Sequence, residues 1–171
     1  MIRYAGELYL SVCPPYDIPM NENRKYTACC GIFCTDCIPS REALFSAART
    51  LAVELDGVDF DRYAALKAER DDSFAHYEQF REYLSRIHSL RCPAPCVEGG
   101  GKPDCTIRSC ARAKGYRGCW ECAGFETCDL LDPFTPFHGD TPRNNLLLIS
   151  EHGIEEWAAH RGPHYRWSKK K

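Results

Sequence analysis

Apolar residues in the middle of the chain recur every three or four positions, which is the spacing of one helix face. The first series follows Ser40, a suitable N-cap, stops before Gly57 and contains Leu44, Ala48, Leu51 and Leu55. A second series begins at Asp59 or Asp61 and continues to about residue 71. The third predicts a helix over about 72–89, with one face formed by Phe74, Tyr77, Phe80, Tyr83, Leu84 and Ile87. We interpret these aromatic residues as helix packing.

Weaker patterns occur towards both ends of the chain. Residues 7–12 alternate loosely and predict a short strand. Residues 106–115 predict a short helix closed by Gly115, and Pro142 suits the first turn of a further helix that Gly153 interrupts. The elements together predict a mainly α fold: a small helical domain with irregular cysteine-rich metal-binding loops and little β structure.

The chain divides into an N-terminal segment at 1–28, a single cysteine-rich metal-binding helical domain at 29–160 and a basic tail at 161–171. We expect the cysteine loops to pack on the helices at about 40–89 and 142–160. With 44% apolar and 12% aromatic residues, the chain can bury a core, which excludes global disorder.

The charge of the chain and its N-terminal sequence exclude some classes of protein. A formal net charge of -2 argues against a strongly basic nucleic-acid binder. Residues 54–82 contain nine acidic and four basic residues, which predict a solvated face. The N-terminus has no basic region followed by an apolar stretch, and no window approaches the roughly 20 apolar residues of a membrane span. We therefore expect a cytoplasmic protein with reduced thiols and no membrane partner.

Ten of the twelve cysteines fall into closely spaced groups, and Cys13 and Cys29 lie outside them. Spacings of two to four residues let thiolates converge on one metal ion from a short turn. In a reducing compartment, such groups bind metal more often than they form structural disulfides. The predicted metal ligands are Cys30, Cys34, Cys37, Cys92, Cys96, Cys105, Cys110, Cys119, Cys122 and Cys128.

Three cysteine segments and one tail segment resemble the prokaryotic domain of unknown function 3795 family. They are CGIFCTDC at 30–37, CPAPC at 92–96, CTIRSCARAKGYRGCWECAGFETC at 105–128 and NNLLLISEHGIEEWAAH at 144–160. The similarity covers about residues 28–160, and Pro95 stands where the usual motif carries a glycine. The resemblance implies a small, cysteine-rich, metal-binding protein without an established activity.

Zinc suits all-thiolate tetrahedral sites and requires no redox role. We predict two four-ligand sites that use eight of the ten grouped cysteines. One site would hold Cys92, Cys96, Cys119 and Cys122, and the other would hold Cys30, Cys34 and Cys37 with a fourth ligand such as Cys128 or His138.

An iron–sulfur cluster is the alternative cofactor. The spacing Cys30-x3-Cys34-x2-Cys37 resembles the cluster motif of radical S-adenosylmethionine enzymes, although their βα barrel is not predicted here. Cys119 and Cys122 have the spacing of a redox dithiol, but no predicted strand precedes them as a thioredoxin-like site requires.

A basic cluster lies next to the predicted ligands and consists of Arg108, Arg112, Lys114 and Arg117. Such clusters bind phosphates in small zinc modules, but we favour a solvated helix face because the whole chain is not basic. The Gly99–Gly101 run predicts a flexible joint.

The function that we predict is a zinc-binding structural, interaction or regulatory module with an unidentified protein partner. An iron–sulfur redox or electron-transfer protein and a nucleic-acid-binding zinc module are the alternatives. The sequence assigns no catalytic residue.

Overall fold

The computed structural model describes residues 21–162, and these residues confirm the mainly α prediction. They contain no strand, and Thr27 and Phe33 form an isolated antiparallel bridge. No helix in this range has the length and apolarity needed to cross a membrane. The predicted strand at 7–12 lies outside the described residues. The helices are α1 (Glu22–Tyr26), α2 (Glu42–Gly57), α3 (Phe60–Ala68), α4 (Tyr77–Ser89), α5 (Thr106–Ala113), α6 (Thr135–His138) and α7 (Thr141–Glu156).

The three middle helices form where the apolar spacing predicts them, with shifts at their ends. α2 begins after Arg41 rather than after Ser40, because Ile38–Ser40 forms a short 3-10 helix. The predicted helix over 72–89 begins with a separate 3-10 helix, Asp72–His76, before α4 continues it.

The predictions for α5 and α7 are also confirmed. Gly115 follows α5 with a φ of 71°, and Pro142 lies in the first turn of α7. Gly153, with a φ of 75°, interrupts the helical backbone of α7 as its sequence position indicates. The helices α1 and α6 were not predicted, because five and four residues carry too little periodicity.

The main core lies between the cysteine loops and α7. Trp157 is 0% exposed, and its indole N–H donates a hydrogen bond to Thr27 Oγ1 at 3.0 Å. Phe33 packs edge-on against Trp157, with ring centroids 5.3 Å apart. The buried Asn145 on α7 donates from Nδ2 to the carbonyl of Gly31 at 2.8 Å. The remaining core residues are Ala28, Cys29, Cys30, Ile32, Ile107, Ala111, Phe125, Leu131, Leu146, Ile149 and Ala158.

Helices α2, α3 and α4 form a separate helical arm at residues 42–89. The arm contributes no residue to the main core, and its own buried side chains are Phe45, Ala48, Ala64 and Leu84. The cysteine loops therefore share a core with the helix predicted at 142–160, as expected. They do not share this core with the helices at 40–89, so that part of the expectation is wrong. The arm helices pack chiefly on one another instead.

The two ends of the arm meet at its base. The Cys92 N–H donates to the carbonyl of Pro39 at 2.8 Å, which joins the chain entering the arm to the chain leaving it. Arg91 Nε and Glu42 Oε2 form an ion pair at 2.7 Å beside this bond. The base of the arm thus lies within the cysteine loops.

We expect Asn145→Ala to lower the free energy of unfolding by about 1–3 kcal/mol, because the Gly31 carbonyl would remain buried without this donor. Urea denaturation measures the change. Asn144→Ala is the matched control, since Asn144 is the adjacent, exposed asparagine of the same helix. Equal stabilities of the two variants would contradict the role of the Asn145 side chain.

Candidate metal-binding thiol groups

All eleven cysteines within residues 21–162 are free thiols, and two pairs of them share one backbone conformation. Cys34 opens the 3-10 helix Cys34–Asp36, and the Cys37 N–H donates to the Cys34 carbonyl at 3.0 Å. Cys119 opens a 3-10 helix in the same way, and the Cys122 N–H donates to the Cys119 carbonyl at 3.0 Å. A 3-10 turn places residues i and i+3 on the same side, which suits two thiolates that share an ion.

The first of these turns meets the Cys92–Cys96 loop at the base of the arm. We call Cys34, Cys37, Cys92 and Cys96 the basal group. The thiols of Cys34 and Cys96 are hydrogen-bonded, which lowers the pKa of Cys34 to about 7 and raises the pKa of Cys96. Burial raises the pKa of Cys37 to about 11, and the neighbouring Cys34 and Cys92 add to that rise. Neighbouring thiols therefore disfavour the thiolate forms of Cys37 and Cys96, and a bound cation would relieve that repulsion.

Gly100 and Gly101 pack closely over the basal group. A Cβ at Gly100 would lie 1.7 Å from the Ala94 carbonyl oxygen and 3.1 Å from Cys92 Sγ. A Cβ at Gly101 would lie 2.9 Å from Cys96 Sγ, and the Gly101 N–H donates to Cys92 Sγ at 3.1 Å. Gly100 and Gly101, two residues of the run predicted as a flexible joint, thus pack where a side chain would not fit, whereas a Cβ at Gly99 would meet open space.

Arg108 on α5 holds this glycine loop in place. Its side chain is buried, and its guanidinium donates to four backbone carbonyls at 2.8–3.2 Å. The acceptors are the carbonyls of Cys96, Gly100, Lys102 and Pro103. Arg108 is therefore part of the framework of the basal group, and the prediction that it lies on a solvated or phosphate-binding face is wrong.

The second Cys-x2-Cys turn lies beside α5. We call Cys110, Cys119, Cys122 and Cys128 the α5 group. All four line one cavity of about 30 Å³, whose other lining residues are Ile107, Ala111, Lys114, Tyr116, Phe125 and Leu130. This volume is enough for one water-sized species.

Cys119 is the most perturbed thiol of the α5 group. Burial raises the pKa of Cys119 to about 12, and neighbouring thiols add to the rise. The contribution of Cys29, which lies outside the group, is larger than those of Cys128, Cys110 and Cys122. The ammonium of Lys114 lies 4.0 Å from Cys122 Sγ.

Three further cysteines belong to neither group. Burial raises the pKa of Cys30 to about 12, and the thiols of Cys105, Cys119 and Cys29 add to this rise. Cys105 is the N-cap of α5, where its Sγ accepts from the Arg108 N–H at 3.5 Å. Cys29 is buried and donates to the Arg117 carbonyl at 3.6 Å.

The structure groups the cysteines differently from the sequence-based assignment. Cys92 and Cys96 lie with the Cys34 turn rather than with Cys119 and Cys122, because the arm brings its two ends together. His138 ends α6 with its ring 5.7 Å from Phe134, and burial lowers its pKa. Cys13 lies outside the described residues.

The side chains as they stand do not form a closed coordination sphere. Within residues 21–162, no three histidine, cysteine, aspartate or glutamate side chains converge closely enough to hold a metal ion. Several thiols are engaged in other hydrogen bonds; Cys92 Sγ, for example, donates to the Ala94 carbonyl at 3.0 Å. Metal binding at these groups would require deprotonation and rotation of thiols.

The predicted basic cluster is divided in the structure. Arg108 is buried, and Arg117 pairs with Glu121 at 2.6 Å. Arg112 and Lys114 are exposed, as a solvated helix face predicts. The sequence did not predict that Gly100 and Gly101 pack against the basal group or that Arg108 holds their loop in place. The glycine run between two cysteine segments is nevertheless a pattern that indicates close approach of the backbone.

We expect Arg108→Lys to lower the free energy of unfolding by about 1–3 kcal/mol, because one ammonium cannot reach all four carbonyls of the glycine loop. Urea denaturation measures the loss, and proteolysis near Gly99 should accelerate. Arg112→Lys makes the same change at an exposed position of the same helix and should have little effect. A silent Arg108→Lys variant would contradict this role.

Comparison with known proteins tests the resemblance noted in the sequence. Residues 26–133 match the family model described as a protein of unknown function, DUF3795, and the tail segment at 144–160 lies beyond this match. No curated protein and no solved structure shows a match. The matched range spans more than half of the 171 residues and includes both thiol groups. The chain therefore belongs to the DUF3795 family.

Proposed function

We propose that this protein is a structural metal-binding module that holds two zinc ions, one at the basal group and one at the α5 group. The proposal is supported by the proximity of cysteines from distant chain segments around each Cys-x2-Cys turn. Cys110, Cys119, Cys122 and Cys128 line one cavity, and the thiols of Cys34 and Cys92 both act on Cys37 and on Cys96. Four thiolates per ion is the donor set that a closed zinc site uses.

The surroundings of both groups fit bound thiolates. The Gly101 N–H already donates to Cys92 Sγ, and Lys114 lies beside Cys122 Sγ. Donors of this kind orient and stabilise sulfur ligands in metal centres. Gly100 and Gly101 leave no room for a side chain beside Cys92 and Cys96, so the backbone lies directly against these sulfur atoms.

A structural role follows from the position of the basal group. Cys34 and Cys37 precede the arm, and Cys92 and Cys96 follow it, so one ion would tie both ends of the arm together. Four protein ligands leave no open position for a substrate, which favours a module that presents a surface over a metal-dependent enzyme.

We expect the purified protein to contain two zinc ions per chain by elemental analysis, and Cys34→Ser and Cys122→Ser each to lose one. Cys105→Ser is the matched control, because serine also serves as an N-cap and Cys105 belongs to neither group. A wild-type chain without metal, or a Cys105→Ser variant that loses as much zinc as the other two, would contradict the proposal. A brown preparation containing iron and sulfide would favour the iron–sulfur alternative.

We expect Cys37→Ser to speed proteolysis at the base of the arm, whereas Cys122→Ser should leave cleavage there unchanged. Without the basal ion, this junction would rely on the Cys92–Pro39 hydrogen bond and on the exposed Arg91–Glu42 pair, and such a surface pair contributes only about 0–1 kcal/mol. Mass spectrometry of limited digests locates the cuts. Equal cleavage at the base in both variants would argue against a specific role for the basal group.

A further inference from the structure

The helical arm carries an apolar groove, and within residues 21–162 all of its lining residues belong to the arm. The groove has a volume of about 360 Å³, and its polar lining residues are Ser73 and His76. Leu51 and Phe80 remain 44% and 43% exposed on its walls. The apolar lining consists of Leu51, Leu55, Phe60, Phe74, Tyr77 and Phe80.

Contacts among aromatic rings hold the walls of the groove in place. The ring centroid of Tyr77 lies 5.2 Å from that of Phe60 and 6.2 Å from that of Phe80. The prediction that the α4 aromatics serve helix packing therefore holds only in part, because Phe80 is half-exposed and Tyr83 is 69% exposed. A preformed apolar wall loses little side-chain entropy when another surface covers it.

Carboxylates predominate around the groove. Partial burial raises the pKa of the Tyr77 hydroxyl, and nearby charges modify the shift. One guanidinium, that of Arg81, opposes the rise, whereas the carboxylates of Asp56, Asp61 and Glu78 increase it. Asp56 is ion-paired with Arg81 at 2.6 Å, so the carboxylates of Asp61 and Glu78 supply the excess negative charge here. Asp71 and Asp72 lie at the start of the segment that carries Phe74, with Asp71 hydrogen-bonded to the Ser73 N–H at 3.0 Å.

We propose that this groove binds a cationic amphipathic α-helix of another protein. Apolar side chains at positions i, i+3, i+4 and i+7 of such a helix would enter the groove. Its flanking lysine or arginine residues would meet the surrounding carboxylates, which supply electrostatic complementarity. The same carboxylates repel phosphates, so they disfavour nucleic acid and anionic lipid as the occupant.

The probe for this proposal is a synthetic helix of about 18 residues, long enough to be helical, with leucines at the spacing given above and lysines elsewhere. A second peptide replaces every lysine with glutamate. Fluorescence anisotropy should show saturable binding of the lysine peptide to the full-length protein, weakened by added salt. The glutamate peptide should not bind over the same concentrations.

Two leucine variants locate the binding surface. Leu51 and Leu147 lie on different helices with nearly equal exposure, 44% and 45%, and only Leu51 lines the groove. Leu51→Lys should lower the affinity for the lysine peptide by about tenfold or more. Leu147→Lys should leave this affinity unchanged. Circular dichroism of both variants checks that they remain folded.

Several outcomes would overturn the proposal. They are the absence of lysine-peptide binding, equal binding of both peptides, and equal effects of the two leucine variants. If the protein self-associates and Leu51→Lys abolishes this, the occupant of the groove is a second copy of the chain. If the full-length K169E/K170E/K171E variant binds the peptide more tightly, the occupant is the chain's own basic tail.

Discussion

Buried carbonyl groups in the cysteine loops must find hydrogen-bond donors, because these loops contain too little regular structure to pair their own backbone. Side chains of α5 and α7 supply such donors. Arg108 binds the glycine loop, Asn145 binds Gly31, and Arg143 binds the partly buried carbonyl of Cys128 at 3.0 Å. These two helices therefore hold the cysteine loops at several points of their backbone.

The sequence predicted the helices well, because their apolar spacing is a local property that the arm and α7 retain in the fold. It also identified the family, whereas the ten predicted metal ligands stay a prediction; two of them, Cys30 and Cys105, lie in neither thiol group. It could not assign those cysteines to groups, because spacing reports only neighbours along the chain. Cys37 and Cys92 come together through the path of the whole arm, and no local pattern encodes that path.

The type of a residue also does not show whether its side chain is buried, and several roles in this structure depend on burial. Arg108 and Arg112 lie on one short helix, yet Arg108 holds buried carbonyls and Arg112 is exposed. Leu84 and Tyr83 are adjacent on the predicted apolar face of α4, but only Leu84 is buried. A three-helix arm with so few buried side chains leaves part of each apolar face accessible, and periodicity alone cannot show which part.

The hydrogen bond between Pro39 and Cys92 makes the arm an insertion whose two ends coincide. The entropic cost of closing an inserted segment grows only with the logarithm of its length, at about 0.6 kcal/mol per doubling. A longer, shorter or differently charged helical segment would therefore fit the same attachment point with little cost to the core. The arm can diverge in evolution, or be exchanged by protein engineering, while the cysteine framework stays the same.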